Sequence, residues 1–100
     1  MGNEESGTLL FKEKQTRIML SMLDERREWY LSELAKNSGV TYIHTSRFIK
    51  RCETSGLVHT EKHGRMKRVL LTEKGKSVAQ DLKLLMAKVG AHEPPVQENP

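Results

Sequence analysis

Apolar residues recur over positions 9–26 at the three- and four-residue spacing of one helical face: Phe11, Ile18 and Met22, flanked by Met19 and Leu23, with Gln15 as the polar member of the row. The spacing predicts a first helix from residue 9 or 10 to about residue 26. Glu28-Trp29-Tyr30 reads as a short extended piece. A second helix is expected over residues 32–38, with Glu33 in its first turn, Leu31, Leu34 and Ala35 facing inward, and Gly39 at its stop. Thr41 suits the N-cap of a third helix reaching residue 55. On that helix Thr45, Phe48, Ile49 and Cys52 form one stripe and Ile43, Ser46, Arg47 and Lys50 another. The first stripe is expected to be buried. Gly56 ends the helix, a strand begins at Leu57-Val58, and a second strand covers residues 66–71, with His63-Gly64-Arg65 at the tip between them. In that second strand Met66, Arg68 and Leu70 alternate with Lys67, Val69 and Leu71, so the pattern leaves its inward face open. Thr72 then caps a last helix to about residue 89. Its Val78, Leu82, Leu85 and Val89, flanked by Ala79 and Met86, make a seam of the kind that packs helix on helix.

Length and charge narrow this further. One hundred residues suit one small domain. A hydrophobic content of 36% supplies only a modest core, which favours completion by a second copy and hence a homodimer. Residues 36–76 carry ten basic and three acidic side chains, a balance of +7, while residues 1–35 sum to −2 and residues 77–100 to −1. A localised cationic field of this kind is the footprint of a polyanion binder. Residues 1–8 and 90–100 are polar and rich in Gly or Pro, and are expected to be disordered, leaving 9–89 as the folded domain.

Other chemistries find little support. No apolar run approaches the roughly 20 residues of a membrane span. The acidic opening is unlike a signal peptide, so a cytoplasmic protein is expected. Met1-Gly2 with Ser6 matches a myristoylation pattern, but Glu4 and Glu5 would repel an anionic membrane. Cys52 is the sole cysteine, which rules out an intramolecular disulfide and fits a core position. His44, His59, His63 and His92 lack cysteine partners at zinc-finger spacing, so no metal and no cofactor is expected. No Gly-rich phosphate loop and no nucleophile with an evident base partner suggests an enzyme. Trp29, Tyr30, Met19, Met22 and Met86 read as packing residues.

Three segments carry a family resemblance: Leu34-Ala35 with Gly39-Val40-Thr41; Ser46-Arg47-Phe48-Ile49-Lys50-Arg51-Cys52-Glu53; and Gly56-Leu57-Val58, followed by a basic hairpin and Leu71-Thr72-Glu73-Lys74-Gly75. Over about residues 9–88 the chain resembles a MarR-like winged helix–turn–helix protein, in particular a small archaeal- or plasmid-type member. Two positions depart from the pattern, Cys52 where Leu is usual and Thr45 where Val is usual. The chain is shorter than full-length members, so their extra terminal helices, and effector sensing built on them, are not expected. The resemblance implies an α+β, mostly α fold: a three-helix core, a β-hairpin wing and a C-terminal dimerisation helix (72–89), with two copies expected to pair through the first helix and this last one.

The resemblance also implies double-stranded DNA as partner and a role in transcription regulation. The third helix would enter the major groove with Tyr42, Ile43, His44, Ser46 and Arg47 towards the base edges. Arg47 suits guanine O6 and N7, and Ile43 a thymine methyl. Thr41, Ser46, Lys50 and Arg51 suit phosphates. On the wing, Lys62, His63, Arg65, Lys67 and Arg68 suit the backbone or a minor groove. Imidazole titrates near neutrality, so His44 and His63 are expected to make binding pH-sensitive. An ion pair with Glu33 is the competing role for Arg47. A protein-docking module is the competing role for the whole domain, since fold alone does not choose between them.

Overall fold

A computed structural model describes residues 12–90. In chain order the elements are α1 (Glu13–Ser21), β1 (Trp29–Tyr30), α2 (Leu31–Ser38), α3 (Tyr42–Thr54), β2 (Val58–His63), β3 (Met66–Leu71) and α4 (Glu73–Val89). The three strands form one antiparallel sheet in the order β1-β3-β2. Leu9, Leu10 and Phe11, and the terminal segments 1–8 and 91–100, lie outside the described residues.

The expected elements are present, with both ends of the first helix moved: Lys12 is extended and the helix begins at Glu13. The first helix ends at Ser21 and does not continue to residue 26. The amides of Leu23 and Asp24 donate to Leu20 and Ser21 at 3.1 Å, tightening the last turn. The Asp24 carboxylate then accepts from the Arg26 amide and guanidinium. Those bonds hold its pKa at about 2, and the Trp29 indole N–H donates to the Asp24 carbonyl at 3.0 Å. Together these bonds fold residues 22–28 back, so Trp29 and Tyr30 pair with Val69 and Arg68 of β3.

Local capping explains the other boundaries. Thr41 Oγ1 accepts from the His44 amide at 3.1 Å and Thr72 Oγ1 from the Gly75 amide at 2.9 Å, which starts α3 and α4. The amides of Val40 and Leu57 reach back to Ala35 and Cys52, closing α2 and α3 in Schellman fashion past Gly39 and Gly56.

Leu34, Ile18 and Ile49 lie at the centre of the core, with Trp29, Cys52, Val58, Val69, Ala79 and Leu82 around them. The stripe expected to be buried on α3 is the buried one: Thr45, Ile49 and Cys52 are enclosed, and Phe48 packs at the edge. Buried Thr45 donates its hydroxyl to the Thr41 carbonyl at 2.8 Å, so the polar atom that replaces a methyl is satisfied. In β3 the inward residue is Val69, and Arg68 points to the opposite face. The seam on α4 divides. Leu82 and Ala79 are buried, whereas Val78, Leu85 and Val89 stay 40%, 36% and 53% exposed.

Gly75 sets how closely α4 approaches the junction between α3 and β2. A β-carbon there would collide with the Leu57 carbonyl. Gly75→Ala is therefore expected to destabilise the fold by about 1–3 kcal/mol through overpacking, despite the roughly 1 kcal/mol gain in helix propensity. A lower urea midpoint checks this; a raised midpoint would show that the contact relaxes freely.

Candidate nucleic-acid interface

Burying Thr45, Ile49 and Cys52 decides what α3 presents to solvent. At 3.6 residues per turn Ile43, Arg47 and Lys50 fall opposite that stripe. Ser46 and Glu53 flank it on one side, and His44 and Arg51 on the other. Tyr42 and Ile43 are 53% and 62% exposed at the start of the helix, and His44, Arg47, Lys50 and Arg51 are exposed with them. Ser46 is half-buried. Thr41 Oγ1 accepts the N-cap bond from the His44 amide and lies at the surface, 3.4 Å from His44 Nδ1.

The wing is a two-residue hairpin. Gly64, at φ +62, supplies the left-handed first position of the turn, and Arg65 stands exposed beside it. The register pairs Val58 with Leu71, Thr60 with Val69 and Lys62 with Lys67, so these residues share one face of the sheet. On that face the Thr60 hydroxyl donates to Glu53 of α3 at 2.8 Å, which ties the wing to the helix. Lys62 and Lys67 therefore continue the α3 side of the sheet towards the tip. Like charges directly opposite one another destabilise a sheet unless a counter-charge lies between them. The arrangement suits a polyanion.

The other face of the hairpin carries His59, Glu61, His63, Met66 and Arg68. Here the structure departs from the sequence expectation. Arg68 is half-buried and bridges Glu28 and Glu61, each at 3.5 Å. It neutralises carboxylates of its own sheet and points away from Lys62 and Lys67. His63 lies on the same face, 3.4 Å from Glu61 and edge-on to Tyr30 with ring centres 6.2 Å apart.

The ion pairs sort the cations into two groups. Arg17, Arg26, Arg27, Arg68 and Lys76 are paired with Glu13, Asp24, Glu33, Glu28 or Glu61, and Glu25. Glu33 belongs to Arg27, at 2.7 Å, and so does not hold Arg47. Among the described residues twelve Lys and Arg enter no ion pair; six of these, Arg47, Lys50, Arg51, Lys62, Arg65 and Lys67, lie on α3 and the wing, and the others are Lys12, Lys14, Lys36, Lys74, Lys83 and Lys88. Glu53 of α3 accepts from Thr60, and Glu61 of the wing is paired with Arg68. Six cations without an ion-pair partner outnumber the carboxylates of the same surface and give it a positive potential suited to an external anion.

Two further features were not legible in the sequence. A cleft of about 590 Å³ separates the start of α1 from α3 and brings Lys12 and Lys14 beside Arg47 and Arg51. A second, largely apolar cleft of about 490 Å³ runs between α1 and α4, next to Val78 and Leu85. Both depend on how α1 lies across the helix–turn–helix, which no local motif encodes. Among the described residues no group of three or more His, Cys, Asp or Glu is placed to hold a metal ion. No described helix is long and apolar enough to cross a membrane.

A curated relative, an uncharacterised protein of Archaeoglobus fulgidus, is 30% identical over 86 residues, spanning 83% of this chain and 90% of the relative. A crystal structure of an Archaeoglobus fulgidus protein superposes with a TM-score of 0.77 at 29% identity, covering 87% of this chain and 96% of that one. The structure of a MarR family transcriptional regulator from Silicibacter pomeroyi shares the fold, with a TM-score of 0.62 at 21% identity, covering 83% of this chain and 65% of that one. No family model matches the chain.

Cys52 lies beneath this surface, not on it. Desolvation pushes its thiol from 9.0 to about 11. At pH 8 a thiol of that pKa is roughly 0.1% thiolate, about a hundredfold less than at the unperturbed value, and the thiolate is the reactive form. Ellman's reagent should therefore label the folded protein at least about a hundredfold more slowly than the urea-unfolded chain. A raised folded-state pKa also means that the unfolded chain loses this proton first. Any contribution of Cys52 to stability is accordingly complete below pH 9 and declines towards pH 11.

Proposed function

The chain belongs to the family of the Archaeoglobus fulgidus protein, with the winged helix–turn–helix fold of MarR-type regulators, and on that premise we propose that it binds double-stranded DNA sequence-specifically as a homodimeric transcription regulator. The observation that carries this reading is the set of six unpaired cations on the outer face of α3 and the α3 side of the wing. α3 enters the major groove, where Arg47 and Ile43 meet base edges and Tyr42, His44 and Ser46 lie beside them. Thr41, Lys50 and Arg51 hold phosphates, and Lys62, Arg65 and Lys67 bring the wing onto the backbone or into a minor groove. Arg68, occupied by Glu28 and Glu61, is left out of this set; His63 reaches DNA only if it leaves Glu61.

Support for the dimer comes from α4. Val78 and Leu85 are exposed apolar residues on the cleft shared with α1, and Val89 is exposed further along the helix. A second copy packed there removes these side chains from water and sets two recognition helices about 34 Å apart, one turn of B-DNA. A protein-docking role is the second reading, and the exposure of Tyr42 and Ile43 favours it. It is the weaker one, because the exposed apolar area is limited to these two side chains while six cations without ion-pair partners suit the dense charge of a nucleic-acid backbone.

Binding to fragments of the host genome, beginning with the protein's own promoter, is measured by fluorescence anisotropy. About six neutralised phosphates predict a log–log salt slope near −5. Arg47→Ala should weaken the best site by about 1–3 kcal/mol and flatten the preference among sites. Lys50→Ala and Arg65→Ala should weaken all duplexes alike. Equal affinity of the wild type for random duplex and for every genomic site would remove sequence specificity from the proposal; no duplex binding at all would leave the docking role. Val78→Glu with Leu85→Glu should give monomers in sedimentation equilibrium, and a dimer that persists places the interface elsewhere.

A further inference from the structure

We infer that the opening turn of α1 is a second grip on the DNA backbone, in which Lys12 and Lys14, with Arg51 across the cleft, take phosphates on the flank of α3 opposite the wing. This rests on the DNA-binding reading above and extends it to a part of the chain that neither the helix–turn–helix nor the wing contains.

The argument is one of sides. Seen down its axis, α3 has Glu53 on one flank of its buried stripe and His44 and Arg51 on the other. The wing attaches to the first flank, through Thr60 and Glu53. The start of α1 lies along the second, across the cleft of about 590 Å³. Lys12, Lys14 and Arg51 are all exposed, and none enters an ion pair among the described residues. The one carboxylate lining that cleft, Glu13, is held by Arg17 at 2.8 Å. The cleft rim is thus cationic, with its acid already neutralised.

A helix lying in a major groove about 12 Å wide has a phosphate ridge on each side. The wing serves one ridge. Without α1 the other ridge would meet Arg51 as its one permanent cation, with His44 and the capping hydroxyl of Thr41 beside it. Lys12 and Lys14 bring two more charges to it and make the protomer straddle the groove. Their contribution is independent of base sequence, because phosphates carry none directly.

The test compares three proteins on a preferred genomic duplex and on a random duplex: the wild type, Lys12→Ala with Lys14→Ala, and the wing variant Lys62→Ala with Lys67→Ala. Removing two phosphate contacts should make the salt slope shallower by about 2, so that the affinity ratio of wild type to variant grows roughly tenfold between about 200 and 50 mM salt. The factor should be the same on both duplexes, and the charge-retaining pair Lys12→Arg with Lys14→Arg should restore the wild-type slope. Thermal melts serve as the folding control, since both side chains lie at the surface. A wild-type slope in the α1 variant beside a shallower slope in the wing variant overturns this inference and leaves the DNA-binding reading standing. Absence of salt-dependent duplex binding by the wild type removes both.

Discussion

Burial of Thr45, Ile49 and Cys52 along one stripe of α3 is the constraint on which the remaining geometry depends. A helix has one rotation about its axis, and enclosing these three residues against Ile18, Leu34 and Val58 consumes it. Ile43, Arg47 and Lys50 then have nowhere to go but outward. The constraint is stiffened at its N-terminal end. The Thr45 hydroxyl reaches the Thr41 carbonyl, and Thr41 caps the first turn, so the core and the helix start are linked by one short network. A buried hydroxyl without that partner would cost about 1–3 kcal/mol. Threonine in place of the usual valine is therefore compatible with the fold because of what lies four residues earlier.

The second organising feature is the separation of paired from unpaired charge. Individually the surface ion pairs contribute little to stability, commonly no more than about 1 kcal/mol. Their effect is on the field. Pairs such as Arg27 with Glu33, Arg17 with Glu13 and Lys76 with Glu25 cancel charge on the flanks. Arg68 does the same on the far face of the sheet, between Glu28 and Glu61. Of the cations left uncancelled, six lie along α3 and the near face of the wing. The opposed pair Lys62 and Lys67 shows the cost of that arrangement, since two ammonium groups face each other across a ladder with no carboxylate between them.

Much of this was legible in the sequence, for reasons that differ from element to element. Thr41 and Thr72 announce helix starts because a hydroxyl beside free amides is a local, self-contained interaction. The α3 stripe and the strand at residues 66–71 are legible from period alone. The end of α1 was not, because it is set by Asp24, which captures an amide two residues ahead while the Trp29 indole holds its carbonyl. The inward face of β3 was ambiguous because apolar residues occupy both faces; the neighbours Trp29 and Thr60 decide for Val69. Arg68 was grouped with the wing cations because it is their neighbour in sequence. In a strand, adjacent residues point to opposite faces, and Arg68 falls on the side that holds Glu61.

The sequence by itself determined the kinds and order of the elements, the helix caps, the buried stripe of α3 and the concentration of positive charge between residues 36 and 76, because each of these rests on spacing or on contacts within a few residues. Only the tertiary structure decided which of those charges remain available, that Lys12 and Lys14 stand beside Arg51, and that Gly75 must lie against Leu57. Those outcomes depend on strand register and on the angle at which α1 and α4 cross the helix–turn–helix. Register and crossing angle are set by packing between residues far apart in the chain, and such packing leaves no periodic trace in the sequence.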